Sequence, residues 1–181
     1  MKYIYTIALA LLSINLIAQI DNSAIKNTKD LSFMIGTWKG EGWILGKDRK
    51  IKKFSQSEKI QPKADNSALM VDGIGYAIDG NGKITDKIIH NAFGVISFNN
   101  ERKHITMLAF SKVSGRMESN LIPLGTINEK KIQWTYVDSK RGFKVRFTED
   151  FSDKNLWIEI GEIWIQNKWS KFFEMKLKKV N

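Results

Sequence analysis

The sequence predicts an all-β chain: an antiparallel up-and-down β-barrel of about ten strands behind a short N-terminal helical turn. Three observations predict it. From Gly36 onward, runs of about ten β-prone, alternating residues are separated by turn clusters. No run has the long 3.6-residue apolar period that crossover helices need, which disfavours parallel βαβ units. Short connections join every run to the next, and such a series of hairpins closes its own edges when it rolls into a barrel. A two-sheet sandwich is the alternative that the same pattern allows.

Residues 1–19 read as a signal peptide. Lys2 gives a positive start, and Ile4 to Ala18 is mostly apolar, interrupted by Thr6, Ser13 and Asn15. That run is short for a membrane span of about 20 residues, and Leu16-Ile17-Ala18 before Gln19 suits cleavage. The protein is therefore expected to be exported, periplasmic or secreted, with no membrane span once the signal is gone. Residues 20–30 form a short leader and 31–181 a single barrel domain. Thr28 is positioned to cap one or two helical turns. Apolar Leu31 to Ile35 then stops at Gly36, and Thr37-Trp38 begins the first strand, with Trp38 as a floor residue.

The expected strands are 36–45, 51–60, 68–78, 86–98, 104–112, 116–123, 131–138, 142–150, 156–166 and 169–179. Asp79-Gly80-Asn81-Gly82 supplies residues that tolerate positive φ, and Asn99 to Arg102 and Ser152 to Asn155 are polar turns. With Ser139 to Gly142 as a loop, Trp134 faces Phe147 and Tyr136 faces Val145. Ile132 and Phe143 complete that apolar face, and Gln133, Thr135, Lys144, Arg146 and Thr148 form the polar one. Taking Asn167-Lys168 as a two-residue turn pairs Ile158 with Leu177, Ile160 with Met175 and Glu162 with Phe173, which turns Glu162 inward. It leaves Glu159 beside Lys176 on a solvated face. In 86–112 both faces are apolar, so either the N-terminal segment covers the outer one or a partner does. There His104 is expected opposite Phe98.

The chain has 29 Lys and Arg against 19 Asp and Glu, a formal charge of +10, and no cysteine. Disulfides and a lipid-modified cysteine are excluded, and stability rests on the core. The basic runs Lys47 to Lys53 and Lys176 to Lys179 read as solvated lysine-rich edges. No nucleic-acid-binding module accompanies them, so no nucleic-acid partner is expected.

Phe33-Met34-Ile35-Gly36-Thr37-Trp38-Lys39-Gly40-Glu41-Gly42 resembles the opening motif of lipocalin-like barrels. In order along the chain, Ser57 to Pro62, Ala68 to Gly75, Ala92 to Phe98, Trp157 to Glu162 and Phe172 to Leu177 resemble the bacterial family DUF1579. The resemblance implies a calycin-like barrel and no established reaction. The related nitrobindins share the Gly-Thr-Trp-x-Gly opening and bind haem through a C-terminal histidine. The last histidine here is His104, so that position has no candidate and haem is not expected.

No catalytic motif is present: there is no Gly-x-Ser-x-Gly, no phosphate-binding Gly-x-x-x-x-Gly-Lys and no His-Glu-x-x-His. Two histidines on distant parts of one hairpin do not make a metal site, and neither catalytic nor metal-ligating residues are assigned. Glycines inside strands, such as Gly73 and Gly75, read as bending or packing positions. The candidate cavity residues are Trp38, Asp72, Tyr76, His90, Trp134, Tyr136 and Glu162. They are the polar or amphipathic groups on faces expected to point inward among apolar neighbours. An interior of that kind binds a small hydrophobic or amphipathic molecule, with no cofactor predicted and the oligomeric state open. The alternatives are an enzyme using a buried Glu162 and an envelope interaction protein whose barrel is packed solid.

Overall fold

The computed structural model describes residues 25–112, 115–124, 129–138 and 142–180. The expected signal peptide lies outside the described residues. The ten strands are β1 (Gly36–Leu45), β2 (Ile51–Lys63), β3 (Ala68–Ile78), β4 (Ile84–Asn99), β5 (His104–Ser111), β6 (Gly115–Leu124), β7 (Lys131–Asp138), β8 (Phe143–Asp150), β9 (Leu156–Ile165) and β10 (Lys168–Val180). Each pairs antiparallel with its sequence neighbours, and β1 pairs with β10 from Thr37↔Val180 to Ile44↔Phe173. The sheet is thus a closed barrel, and the sandwich alternative is excluded. Every strand is hydrogen-bonded to a neighbour on each side over part or all of its length, the arrangement that removes open edges.

A 3-10 helix, Thr28–Met34, plugs one end. Asn27, rather than Thr28, is its cap. The Asn27 side chain accepts from Lys29 N, and the Asp30 carboxylate accepts from Asn27 N in return. Thr28 is buried and ties the plug to the barrel: its hydroxyl donates to Ser67 O (3.1 Å) and accepts from Phe98 N (3.1 Å). Leu31 and Met34 point into the core. Trp38 lies beneath them, fully buried, its indole N–H donating to Met34 O at 2.9 Å. Its ring meets Phe151 edge-on at 5.4 Å and Trp157 at 6.1 Å. These rings seal the floor.

The registers of two hairpins differ from the sequence expectation by one residue. The β9–β10 turn is Gln166-Asn167, both at positive φ (48° and 59°), as a type I′ turn requires. Trp164 therefore faces Trp169 and Glu162 faces Lys171. A bulge between Lys171 and Phe173 then shifts the rest, giving Glu159↔Met175 and Trp157↔Leu177. A one-residue slip exchanges the two faces of a strand. Trp157, Glu159 and Gly161 point inward, and Ile158, Ile160 and Glu162 do not. In β4–β5, His104 faces Asn99 and Ile105 faces Phe98. The inner face is Gly94, Ile96, Ile105 and Ala109, while Phe93 and Phe110 form an exposed cross-strand pair outside. The plug covers the barrel end rather than that outer face. The β7–β8 register has Trp134 opposite Phe147 and Tyr136 opposite Val145.

Truncating Trp38 to alanine would open the floor and remove a ring buried on all sides. Urea unfolding should show a loss of about 3–5 kcal/mol for Trp38→Ala. A loss below about 1 kcal/mol would show that the floor does not depend on this ring.

Candidate functional site

Above the floor, the barrel encloses a cavity of about 300 Å³. Its lining includes His90 of β4, whose side chain is 38% exposed, so it reaches solvent. Ser111 and Asp138 line it at strand ends remote from the plug.

One wall is aromatic. Trp134 and Phe147, cross-strand partners, stack at 4.4 Å, and Tyr136 stacks on Trp134 at 5.9 Å. Phe54 stacks on Phe173 at 5.7 Å, and Phe172 meets Phe147 edge-on at 5.8 Å. The β10 bulge is why adjacent Phe172 and Phe173 both reach the cavity, since an unbulged strand alternates its side chains. Gly161 makes room for this packing. A Cβ there would stand 2.7 Å from Phe147 Cε1 and 2.9 Å from Phe173 Cβ.

The polar groups lie among these rings. Gln56 and Glu58 on β2 are buried beside Phe54 and Ile60. Glu149 on β8 and Glu159 on β9 are register partners, and both are buried. Gln56 donates to Glu58 Oε1 at 2.6 Å, and Trp134 Nε1 donates to Glu149 Oε1 at 2.8 Å. Glycines opposite admit these side chains: a Cβ on Gly73 would collide with the Glu58 carboxylate, and one on Gly75 with the Gln56 amide oxygen. Three polar groups of the lining, the acceptors Glu149 Oε2 and Gln56 Oε1 and the donor Trp157 Nε1, are buried without a hydrogen-bond partner. His90 lies toward solvent from this group, its Nε2 3.7 Å from Glu58 Oε1.

Burial favours the neutral form of each of these acids. It pushes Glu58 up to about 8; the Gln56 hydrogen bond opposes this, and the nearby negative charges of Glu149 and Asp72 add to it. Burial raises Glu149 to about 7 against the opposing Trp134 hydrogen bond. Glu159 is raised well above the ordinary carboxylate range by burial, then by Glu149 and Glu58. Burial lowers His90 below its usual value, which keeps it neutral at pH 7. The interior therefore holds several protons at neutral pH, as carboxylic acids able to donate as well as accept.

Of the residues singled out from sequence, His90, Trp134 and Tyr136 line the cavity. Trp38 lies below it, in the floor. Asp72 is exposed, and Tyr76 shares its parity on β3; neither lines the cavity. The inner face of β3 carries Gly73 and Gly75 instead, because the space they leave is taken by Glu58 and Gln56. Glu162 is on the outer wall, where its carboxylate accepts from Arg146 Nη2 (2.6 Å) and Nε (3.0 Å), with that guanidinium 4.2 Å from the Trp169 ring centre.

Glu58, Glu149 and Glu159 were not singled out from sequence, although two were within reach. The alternation Phe143, Val145, Phe147 leads by parity to Glu149, and Phe54 and Ile60 bracket Gln56 and Glu58 on one face. Glu159 required the observed turn. Among the described residues, no three His, Cys, Asp or Glu converge closely enough to hold a metal ion. The lining fits haem poorly: among the described residues its one histidine, His90, is beside a buried carboxyl, and no Lys or Arg of these residues lines the cavity to meet propionates.

A closed ten-strand antiparallel barrel with a plugged floor and a cavity open to solvent is a calycin-like fold. Solved structures agree. The barrel is similar to Rv2717c from M. tuberculosis, with TM-score 0.65 and 9% identity over 84% of this chain and 96% of that one. It is similar also to the S-type phycobiliprotein lyase CPES from Guillardia theta, with TM-score 0.54 and 10% identity over 84% and 91% of the two chains. At these identities the likeness concerns the fold alone. No family model and no curated protein matches the sequence.

The acids make stability depend on pH in a calculable direction. Glu58 has a folded pKa of about 8 against 4.5 when unfolded, so between these values the folded chain binds the extra proton. Stability then falls as pH rises through this window, by up to about 1.4 kcal/mol per pH unit for one fully shifted group. Glu58→Gln should flatten the profile there and raise stability above pH 7, measured by urea unfolding against pH. Parallel profiles for the two proteins would show that Glu58 titrates normally.

Proposed function

We propose that this chain is an exported barrel of the DUF1579 kind that holds one small hydrophobic or amphipathic molecule in its interior. The observation that carries this reading is the cavity itself: about 300 Å³, walled by Trp134, Tyr136, Phe147, Phe172 and Phe173, with a few buried polar groups among them. Such a lining takes an apolar body and fixes its orientation through a small number of polar contacts. A barrel serving only as an outer interaction surface has no need of an interior of this volume or of buried, unpartnered acceptors, which cost free energy when left without a donor.

The ordered sequence pieces from Ser57 to Leu177 support the DUF1579 assignment, and the apolar N-terminal run supports export. The enzyme reading built on Glu162 loses its basis, because that carboxylate is paired with Arg146 on the outer wall.

The reading is tested with the neutral dye N-phenylnaphthylamine, followed by its fluorescence. The protein should bind it saturably with one site. Gly94 faces the interior with ordinary clearance, its nearest neighbours to a Cβ being 3.8 Å away, so a larger side chain grows into the cavity. Gly94→Leu should weaken dye binding about tenfold or more, a loss of about 1.4 kcal/mol, with the β-sheet circular dichroism unchanged. Absence of saturable binding by the parent protein would overturn the reading.

A further inference from the structure

The outer surface differs between the two ends of the barrel. At the plugged end the exposed turns are polar: Asn100 to Lys103 and Ser152 to Asn155. The other end carries apolar side chains in water. Leu45 and Ile51 flank the β1–β2 loop, Ile84 and Ile88 follow the β3–β4 turn, and Trp164 and Ile165 lead into the β9–β10 turn, all six exposed. These three hairpins are neighbours around the rim, because β10 pairs with β1 and β2 with β3. Phe110 and Val137, each second to last in its strand, extend the apolar surface at the same end, with Phe93 opposite Phe110. Among the described residues these nine are the exposed large apolar side chains, and none is at the plugged end. Exposed apolar groups concentrated in this way mark a contact surface.

The same rim is cationic where it is most apolar. Between Leu45 and Lys53 stand five Lys and Arg and one Asp. All of these charged residues are exposed, as is Ile51 among them at 63%. Among the described residues only Lys52 of the five meets a carboxylate, Asp48 at 3.7 Å. Lys168 adds a cation at the β9–β10 turn, while Lys83 and Lys87 on the third hairpin are matched in number by Asp79 and Asp86. Trp164 meets Trp169 edge-on at 5.3 Å beside that turn. Indole rings with lysines nearby suit the boundary between lipid headgroups and acyl chains. A second copy of the chain would bring the five cations against themselves. Apolar tips on separate hairpins suit a fluid surface, which needs no matching pocket for each.

We propose that this end of the barrel docks on an anionic phospholipid bilayer. The tips of the three hairpins enter the headgroup boundary, and Lys47, Arg49, Lys50 and Lys53 lie over the lipid phosphates. Apolar burial and attraction to anionic lipid act together there, and the electrostatic part is screened by salt. The cavity lining reaches Ile44, Ser111 and Asp138 at this end, so the docked barrel turns its interior toward the lipid and its plug away from it. Docking requires no cavity ligand and stands apart from the binding reading.

Co-sedimentation of the processed protein with vesicles tests the proposal. Phosphatidylcholine vesicles with about 30% phosphatidylglycerol should bind at least about tenfold more tightly than pure phosphatidylcholine. Raising salt from about 0.05 to about 0.5 M should weaken that binding about tenfold. Lys50→Glu with Lys53→Glu should lower affinity about tenfold, and Ile51→Ser with Trp164→Ser about fivefold, with the β-sheet circular dichroism unchanged. Lys63→Glu with Lys154→Glu alters the net charge equally at the plugged end and should stay within about twofold. Vesicles with brominated acyl chains should quench the intrinsic fluorescence, and Trp164→Phe should reduce that quenching. Failure to bind anionic vesicles, or an equal loss from the plugged-end pair, would overturn the proposal. Binding to soluble polyglutamate as tight as to vesicles, without quenching by brominated lipid, would overturn it in favour of an acidic protein partner. The cavity reading is judged separately, by N-phenylnaphthylamine binding in the absence of lipid.

Discussion

The pairing of β1 with β10 is the constraint on which the remaining structure depends. Without it the ten strands would be an open, strongly twisted sheet with two bare edges, and the inner face would have no enclosed space to define. Closure also fixes where the floor forms. It holds Trp38 opposite Lys179 at the plugged end, where the indole meets Phe151 and Trp157 and donates to Met34. The 3-10 helix is then pinned twice, through this bond and through the two hydrogen bonds of Thr28. A sealed end and an accessible remainder follow from one strand pairing.

The interior divides into a floor packed by dispersion and a cavity whose walls mix rings with acids. The acids are placed where glycines on the neighbouring strand leave room, Glu58 over Gly73 and Gln56 over Gly75. Steric complementarity within the sheet therefore sets the electrostatics: the absent side chains of β3 let polar groups of β2 lie flat at full burial. Desolvation then raises the carboxyl pKa values, and mutual repulsion among Glu58, Glu149 and Glu159 adds to it. The outer wall shows the ordinary case. Glu162 lies under no such constraint and is held by Arg146 in an ion pair that keeps some exposure to water.

The strands were legible in the sequence because alternation and turn chemistry agree along most of the chain. Any of the nine connections could be misplaced by a residue with no change in that picture, yet for the candidate site such a residue is decisive. In β7–β8 the aromatic pairs are unambiguous, and Trp134 and Tyr136 were readable as cavity groups. In β9–β10 two things hid the answer. Gln166-Asn167 turns one residue earlier than the sequence suggests, and the bulge at Phe172 changes parity within a single strand. Glu159 and Glu162 exchanged roles as a result. Asp72 was misread for a different reason: glycines have no side chain to declare a face, so a strand whose inner side is Gly73 and Gly75 looks inverted. Glu149 and Glu58 were written in the alternation but had no apolar signature of their own.

The bulge at Phe172 has a consequence for how this barrel can change over time. Below it, residues 173–178 of β10 are held on both sides, by β1 and by β9. Above it, residues 168–171 are paired with β9 alone. The extra residue separates the two registers, so the upper hairpin can gain, lose or exchange residues without shifting the lower half against β1. β10 is in effect two modules in one strand. The lower one is constrained by geometry because closure depends on it, and the upper one, which carries Trp164 and Trp169, is not. Barrels built this way can acquire new contents at the rim while the seal beneath stays as it was.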